Sequence, residues 1–185
     1  MNRLHRWYCQ TSHWNRAVGQ ILPWAVGSIK LGERVLELGP GPGLSTDWLR
    51  GRCRRLTCLE IDFKLASKLQ QRYSTADVQV FCGNATQLPF ADRSFDTAVC
   101  FTMLHHVASS LMQDRLFAEV HRVLRPGGNF IGSDSVASLG MTAFHLFDTM
   151  VLVDPVMLPA RLEAAGFRDV QVETLQGRCR FAARR

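Results

Sequence analysis

A glycine-rich loop and a nearby carboxylate are the first residues of this sequence whose types and spacing indicate chemistry. The loop from Gly39 to Gly43 reads Gly-Pro-Gly-Pro-Gly, and glycine lets a backbone approach a ligand closely because it has no Cβ. A dinucleotide fingerprint would need a further glycine at Leu44, so a pyrophosphate cradle is not favoured. Glu37 stands two residues before the loop, where its charge would repel phosphate and attract an ammonium group.

A second carboxylate, Glu60, ends an apolar run twenty-one residues after Gly39. A carboxylate at the carboxyl end of the second strand of a parallel sheet can accept hydrogen bonds from both hydroxyls of a ribose. Together with the loop, this spacing predicts a site for a nucleoside that carries no phosphate. Taken singly, the loop is also typical of a simple turn, and Glu60 of a surface charge beside Asp62.

These residues must be positioned by strands and helices, and from Arg34 onward apolar runs of strand length alternate with helical patterns. The alternation predicts a doubly wound α/β fold, with helices on both faces of a mostly parallel sheet. The predicted strands are 35–38, 56–59, 78–81, 95–101, 129–133, 170–175 and 179–183, and the predicted helices are 44–50, 63–73, 111–124 and 158–165.

Two Gly-containing segments should interrupt that alternation. Pro126-Gly127-Gly128 is expected to stop the helix 111–124. Gln176-Gly177 separates the last two strands, and a tight turn makes its strands antiparallel, so one strand should run against the sheet.

Composition sets wider limits. The chain of 185 residues is 46% hydrophobic and 21% charged, which suits one globular domain and is too short for a (β/α)₈ barrel. The net charge of +6 would permit nucleic-acid binding, but the arginines cluster without interleaved aromatic residues, so none is expected. The six cysteines form no Cys-x-x-Cys pair, and we predict no metal site. We predict no signal peptide and no transmembrane segment, and a cytoplasmic location.

Five motifs in fixed order carry a family resemblance: VLELGPGPG (35–43), LEID (59–62), GNATQLPFADRSFDTAVC (83–100), FTMLHHV (101–107) and EVHRVLRPGG (119–128). With them the sequence resembles the class I S-adenosylmethionine-dependent methyltransferases, in particular small ubiquinone and menaquinone methyltransferase-like (type 11) proteins. The resemblance covers Arg34 to the C-terminus. It implies a Rossmann-like seven-stranded sheet with the last strand antiparallel, and S-adenosylmethionine as the cofactor, with S-adenosylhomocysteine as its product.

The resemblance also implies roles for single residues. The loop glycines would lie against the cofactor, Glu37 near the methionine amino group, and Glu60 on the ribose hydroxyls. Asn84 stands where relatives usually have aspartate, and its oxygen can still accept a hydrogen bond from the adenine amino group. The implied cofactor-binding residues are Glu37, Gly39, Gly41, Gly43, Glu60, Ile61 on the adenine, Asn84, the Ala85 backbone amide and Phe101 on the methionine side.

Two histidines follow the fourth predicted strand, beside the methyl position that the resemblance implies. Methyl transfer is an in-line displacement that depends on the orientation of the nucleophile, and a base is needed only if the acceptor loses a proton. His106 matches the family position more closely than His105 and is the predicted catalytic base. The alternative is that one or both histidines bond to the backbone or line the pocket.

Two regions outside the motifs are predicted to cover an acceptor. One is an N-terminal helical cap, 1–33, with Trp7, Tyr8, Cys9, His13, Trp14 and a helix 17–29 kinked at Pro23; the other is a lid-like insertion, 135–157, with Phe144, Phe147 and Val151. Their aromatic and methionine content favours an apolar, lipid-like or quinone-like small molecule. The alternative is packing on the sheet or a homodimer contact.

We therefore interpret the sequence as a single methyltransferase domain that acts on a small-molecule acceptor. One alternative is a non-catalytic S-adenosylmethionine-binding partner or regulatory protein. Another is an NAD-dependent oxidoreductase, against which the missing third glycine and Glu37 count.

Overall fold

A computed structural model describes residues 11–73, 77–136 and 150–185 of the chain. Its helices are α1 (Ser12–Val26), α2 (Leu44–Leu49), α3 (Phe63–Arg72), α4 (Ser110–Val123) and α5 (Leu158–Ala164), with a 3₁₀ turn at Leu104–His106. Its strands are β1 (Arg34–Leu38), β2 (Arg55–Glu60), β3 (Val78–Cys82), β4 (Phe95–Phe101), β5 (Leu124–Ser135), β6 (Arg168–Leu175) and β7 (Arg178–Arg184).

The strands form one seven-stranded sheet in the order β3-β2-β1-β4-β5-β7-β6. The pairs among β1 to β5 are parallel, and β7 is antiparallel to both of its neighbours. Gln176 and Gly177 have φ values of 49° and 76°. Left-handed conformations at both positions match the two-residue hairpin turn whose twist suits the flanking strands. The predicted fold class and the single reversed strand are confirmed.

Helices cover both faces of the sheet because successive strand residues point to opposite sides. Phe130 of β5 packs with Phe117 of α4 in one buried cluster. Its neighbour Ile131 packs in a second cluster on the other face, with Leu22 of α1 and Leu69 of α3. The carboxyl ends of β1 to β5 all meet at one edge, which we call the carboxyl edge; the opposite one is the amino edge.

Two predicted boundaries were wrong. The helix 17–29 ends earlier, at Val26, because Gly27 takes a left-handed φ of 56° that stops it. The helix before Pro126 ends at Val123, one residue earlier than predicted, but β5 begins at Leu124 instead of Asn129, so the Pro-Gly-Gly segment lies inside that strand. Arg185 draws that segment into the sheet through two backbone hydrogen bonds, to Gly127 at 2.8 Å and to Gly128 at 2.9 Å.

Asp96 binds the start of β1 at the amino edge of the sheet. Its buried carboxylate accepts hydrogen bonds from the backbone N–H groups of Glu33 (2.8 Å) and Arg34 (3.0 Å). The guanidinium groups of Arg34 and Arg125 lie 3.4 and 3.3 Å from it. Burial by itself would raise the pKa of Asp96, but these donors and charges outweigh it and hold the pKa below its usual value.

Among the helices in the three described ranges, none is long and apolar enough to span a bilayer.

Candidate active site

The glycine loop bends back over the carboxyl edge between β1 and α2. Gly39, Gly41 and Gly43 have φ values of 65°, 56° and 91°, a region that favours glycine. The backbone N–H of Gly39 donates to the Leu59 carbonyl at 2.9 Å, and that of Gly43 to the Pro40 carbonyl at 3.0 Å. The loop is therefore tied both to the second strand and to itself.

The three glycines differ in what a side chain would meet. A Cβ on Gly39 would lie 2.3 Å from Cγ of Met103, and one on Gly43 would lie 2.7 Å from Cδ2 of Leu69. A Cβ on Gly41 would meet no atom within 4 Å. Gly39 and Gly43 are thus required by their protein neighbours, whereas the backbone at Gly41 faces open space.

Tyr73 is a buried residue that holds the end of the glycine loop. Its hydroxyl lies 3.1 Å from the Gly43 carbonyl oxygen and 2.8 Å from Oδ1 of Asp47, within hydrogen-bond distance of both acceptors. Arg72 donates to the Pro42 carbonyl at 3.2 Å and forms an ion pair with Asp47. Burial, followed by Asp47, raises the pKa of Tyr73.

Glu37 is buried beneath the loop. Its oxygens accept hydrogen bonds from the hydroxyls of Ser45 and Thr46, the latter at 2.7 Å, and from the thiol of Cys58 at 3.3 Å. Burial raises the pKa of Glu37, although these three donors act in the opposite direction. The carboxylate thus joins β1 to the first turn of α2. Its contact with the methionine amino group of the cofactor stays a prediction.

Glu60 connects the loop to the next turn. It is 5% exposed, and its carboxylate accepts the backbone N–H of Gly41 at 2.9 Å and of Asp62 at 3.0 Å. Asp62 in turn caps α3 by accepting from the N–H groups of Lys64 and Leu65. The acceptor predicted from the spacing therefore does lie against the glycine loop.

Apolar side chains are exposed next to Glu60. Ile61 is 71% exposed, and Phe63 and Phe81 are 73% and 40% exposed. Asn84 follows β3 at the same edge, where its Oδ1 accepts from the backbone N–H of Thr86 at 2.9 Å and from its hydroxyl at 3.0 Å. Ile61 is therefore available to a flat apolar group, while the Asn84 oxygen shapes its own turn.

A charged pair on α4 holds the loop after Asn84. Glu119 accepts the backbone N–H of Leu88 at 2.7 Å. Arg122 donates to the carbonyls of Leu88 (3.0 Å) and Phe90 (2.8 Å) and bonds to Glu119. The bonds from Arg122 lower the pKa of Glu119. The motif that contains this pair was visible in the sequence, but its role as a clamp required the structure.

The histidine turn begins at a strained residue. Phe101 is buried at the end of β4, and Thr102 has a φ of 51°, with its N–H donating to the Ser133 carbonyl at 2.7 Å. His105 is buried, and its Nδ1 lies 2.6 Å from Oδ1 of Asp134. His106 is only partly buried, and the centres of the two imidazole rings are 4.1 Å apart.

Two further residues hold the backbone of this turn. The buried amide of Gln113 donates to the Leu104 carbonyl at 3.0 Å and to the Val151 carbonyl at 2.8 Å. The N–H of Val151 donates to the His105 carbonyl at 2.8 Å. Val151, predicted as part of a lid, is thus attached directly to the histidine turn.

The structure places the predicted cofactor residues along the carboxyl edge, since they lie at or just after the carboxyl ends of β1, β2, β3 and β4. In α1, Leu22, Ala25 and Val26 pack on the sheet. Trp7, Tyr8, Cys9, Phe144 and Phe147 lie outside the described residues, as do the side chains of His13 and Trp14. Sequence reasoning missed Asp134 and Met103; a lone acid directly after an apolar strand was the signal for Asp134.

Comparisons with known proteins agree with this geometry. A family model described as a methyltransferase domain matches residues 36–132, more than half of the chain. A probable S-adenosylmethionine-dependent methyltransferase of Mycolicibacterium smegmatis is 35% identical over 74% of this chain and 52% of its own length. A demethylmenaquinone methyltransferase of Renibacterium salmoninarum is 32% identical over 76% of this chain and 54% of its own. The chain thus spans about half the length of these relatives.

The fold is shared with a solved S-adenosylmethionine-dependent methyltransferase from Mesorhizobium loti. The two chains superpose with a TM-score of 0.73 at 18% identity, over 95% of this chain and 99% of the other. At that identity the likeness concerns the fold alone.

Proposed function

The chain belongs to the methyltransferase domain family, and we propose that it transfers a methyl group from S-adenosylmethionine to a small apolar or amphiphilic acceptor. The observation that carries this proposal is the buried Glu60 carboxylate, bonded to the amide of Gly41 and followed by the exposed Ile61. These residues combine an acceptor for paired hydroxyls with an apolar surface for a base.

The residues present fit this cofactor better than a dinucleotide. Glu37 and Glu60 put two carboxylates beside the loop, which disfavours a pyrophosphate and favours a ligand with a cationic and a hydroxylated part. The open space at Gly41 leaves the loop backbone accessible to such a ligand. When bound, S-adenosylmethionine supplies a methyl group activated by its positively charged sulfur.

We assign the chain's own residues the following parts. Glu60 would accept the ribose hydroxyls, Ile61 would pack on the adenine, and Asn84 and Ala85 would border it. Glu37 would act mainly by holding α2 and the glycine loop in place, since its oxygens already accept three hydrogen bonds. Gly39, Gly41, Gly43 and Phe101 would form the wall on the methionine side.

His106 is the proposed base. It is more exposed than His105, and it lies on a turn whose backbone is fixed by Gln113 and Val151. An acceptor that loses a proton on methylation would pass it to an imidazole nitrogen of His106. An acceptor with no proton to lose would be oriented by the same ring.

An apolar or quinone-like acceptor is supported by two features. The relative from Renibacterium salmoninarum is named for a quinone substrate. Val151 of the predicted lid, an apolar residue, donates a backbone hydrogen bond to the histidine turn next to the proposed base. Covering of the acceptor by the helical cap 1–33 and the lid 135–157, and a homodimer contact, stay predictions.

Calorimetry with S-adenosylmethionine and with NAD tests the cofactor, and we expect binding of the first only. Turnover is then tested with short-chain quinols, phenols and fatty acids, with S-adenosylhomocysteine as the detected product.

We expect His106→Ala to lower kcat by about 100-fold for an acceptor that loses a proton. Full turnover in that variant would refute the base, and NAD binding would refute the function. Binding without turnover on any acceptor would indicate a regulatory cofactor-binding protein.

A further inference from the structure

Asp134 is a buried carboxylate whose hydrogen bonds are directed largely at the histidine turn. Its Oδ1 lies 2.6 Å from Nδ1 of His105 and accepts the backbone N–H of Ser135 at 2.7 Å. Its Oδ2 accepts the backbone N–H of His105 at 3.2 Å. It is 1% exposed and, within the described ranges, has no lysine or arginine partner. Asp134 thus forms hydrogen bonds with both the backbone and the ring of His105.

The hydrogen bond between Asp134 and Nδ1 fixes the orientation of the His105 ring. A carboxylate so close to Nδ1 requires the hydrogen to lie on that nitrogen, which sets the tautomer and limits rotation about the side-chain bonds. The ring of His106 lies against the ring of His105, with centres 4.1 Å apart and planes inclined by 44°. The buried histidine is therefore a platform for the more exposed one.

Two other hydrogen bonds of the turn act on its backbone. Gln113 bonds to the Leu104 carbonyl, and Val151 bonds to the His105 carbonyl. Neither of these bonds involves an imidazole ring. Asp134 differs from both in bonding to the ring itself, at Nδ1 of His105.

We propose that Asp134 is a positioning residue for methyl transfer, which orients His106 toward the acceptor through the ring of His105. The inference rests on the proposed function, because it gives His106 the contact with the acceptor. In that step an acceptor lone pair forms the new bond to the methyl carbon, and the electron pair of the sulfur–carbon bond stays on sulfur. The acceptor proton moves to His106, whose approach to that proton is set by the platform.

Asp134→Asn is the direct test, with Asp96→Asn as the matched control. The amide that replaces the carboxylate would place an NH₂ group opposite at least one of the three N–H donors. At least one hydrogen bond is then lost, while the volume of the side chain changes little. We expect kcat to fall about 10- to 100-fold, with the acceptor KM and the Kd for S-adenosylhomocysteine changed less than about 3-fold. Asp96→Asn removes another buried carboxylate, at the amino edge, and should leave kcat within about 2-fold.

A second variant and a spectroscopic measurement guard against loss of folding. His105→Gln keeps a donor for Asp134 but removes the ring beneath His106, and it should lower kcat to a similar degree. In the wild type, NMR should show a strongly downfield-shifted Nδ1 proton for His105. In Asp134→Asn that signal should be lost and the His106 ring resonances should broaden or double.

The NMR result decides the inference even if no acceptor is turned over. Unchanged His106 resonances in folded Asp134→Asn would overturn it, as would wild-type kcat in either variant. Equal loss of kcat and of S-adenosylhomocysteine binding would also overturn it, because Asp134 would then support the whole site. Failure of the proposed function is distinct, since it appears as a wild-type protein that does not bind S-adenosylmethionine.

Discussion

Asp96 at the amino edge of the sheet and Glu60 at the carboxyl edge are both buried carboxylates, yet different groups balance them. Asp96 lies between the guanidinium groups of Arg34 and Arg125. Among the residues that the structure describes, Glu60 accepts hydrogen bonds from the backbone N–H groups of Gly41 and Asp62. Within the part of the chain that the structure describes, neither Glu60 nor Glu37 has a lysine or arginine partner.

The difference separates a structural carboxylate from one suited to bind a ligand. At Asp96 the two guanidinium groups lie beside Oδ1 and two backbone N–H groups bond to Oδ2, so both oxygens are occupied and the charge is compensated, which leaves little attraction for a ligand. Neutral donors leave the charge in place, and it can then attract hydroxyl or ammonium groups. The carboxylate at the amino edge thus serves stability, whereas Glu60 at the carboxyl edge lies next to the glycine loop with backbone donors and no cationic partner among the described residues.

The largest expected effect is on cofactor binding. Glu60→Ala removes both the proposed ribose acceptor and the bond to Gly41, so we expect the Kd for S-adenosylhomocysteine to rise about 100-fold, or about 2.7 kcal/mol. Calorimetry measures it, with Asp96→Asn as the comparison, which should bind like the wild type. The contrast between the edges fails if the two variants lose affinity equally.

A smaller effect is expected from alanine in the glycine loop. Gly39→Ala adds a Cβ beside Met103 in a left-handed conformation, and Gly41→Ala adds one in the same conformation with open space around it. We expect losses of about 2–3 and about 1 kcal/mol in the free energy of unfolding. Urea unfolding measures both, with Gly51→Ala as a control at a site without left-handed φ or close neighbours. Equal losses would mean that Met103 moves aside freely.

The smallest effect is a difference in pH dependence. The pKa of Asp96 is lowered on folding, so its contribution to stability is present above the unfolded value near 4 and is lost as the pH falls through the folded value. The pKa of Glu37 is raised, so stability falls as the pH rises from about 4 through its folded value. Over a pH range that spans the unfolded value near 4, the wild type should therefore lose stability relative to Asp96→Asn as the pH falls below that value, and lose it relative to Glu37→Gln as the pH rises above it. Urea unfolding across that range checks both, and slopes of the same sign would contradict the contrast.

The sequence by itself determined the fold class, the strands and the reversed hairpin. Apolar periodicity reports which face of an element is buried, and Gln176-Gly177 prescribes a turn through local backbone preferences. The spacing from Gly39 to Glu60 likewise placed a carboxylate at the loop, because parallel strands align their carboxyl ends. These features follow from local patterns and from the alignment of parallel strands.

Partners distant in the chain were decided by the tertiary structure. Asp134 lies 29 residues after His105, and Arg122 lies 32 residues after the Phe90 carbonyl that it holds. Composition and periodicity contain no record of such pairs. Glu37 could likewise be predicted at the site, but its partners Ser45, Thr46 and Cys58 could not, although two of them are close in the chain. Local patterns fix which elements form, but the hydrogen bonds of a buried polar group depend on which side chains the packed elements bring within about 3 Å.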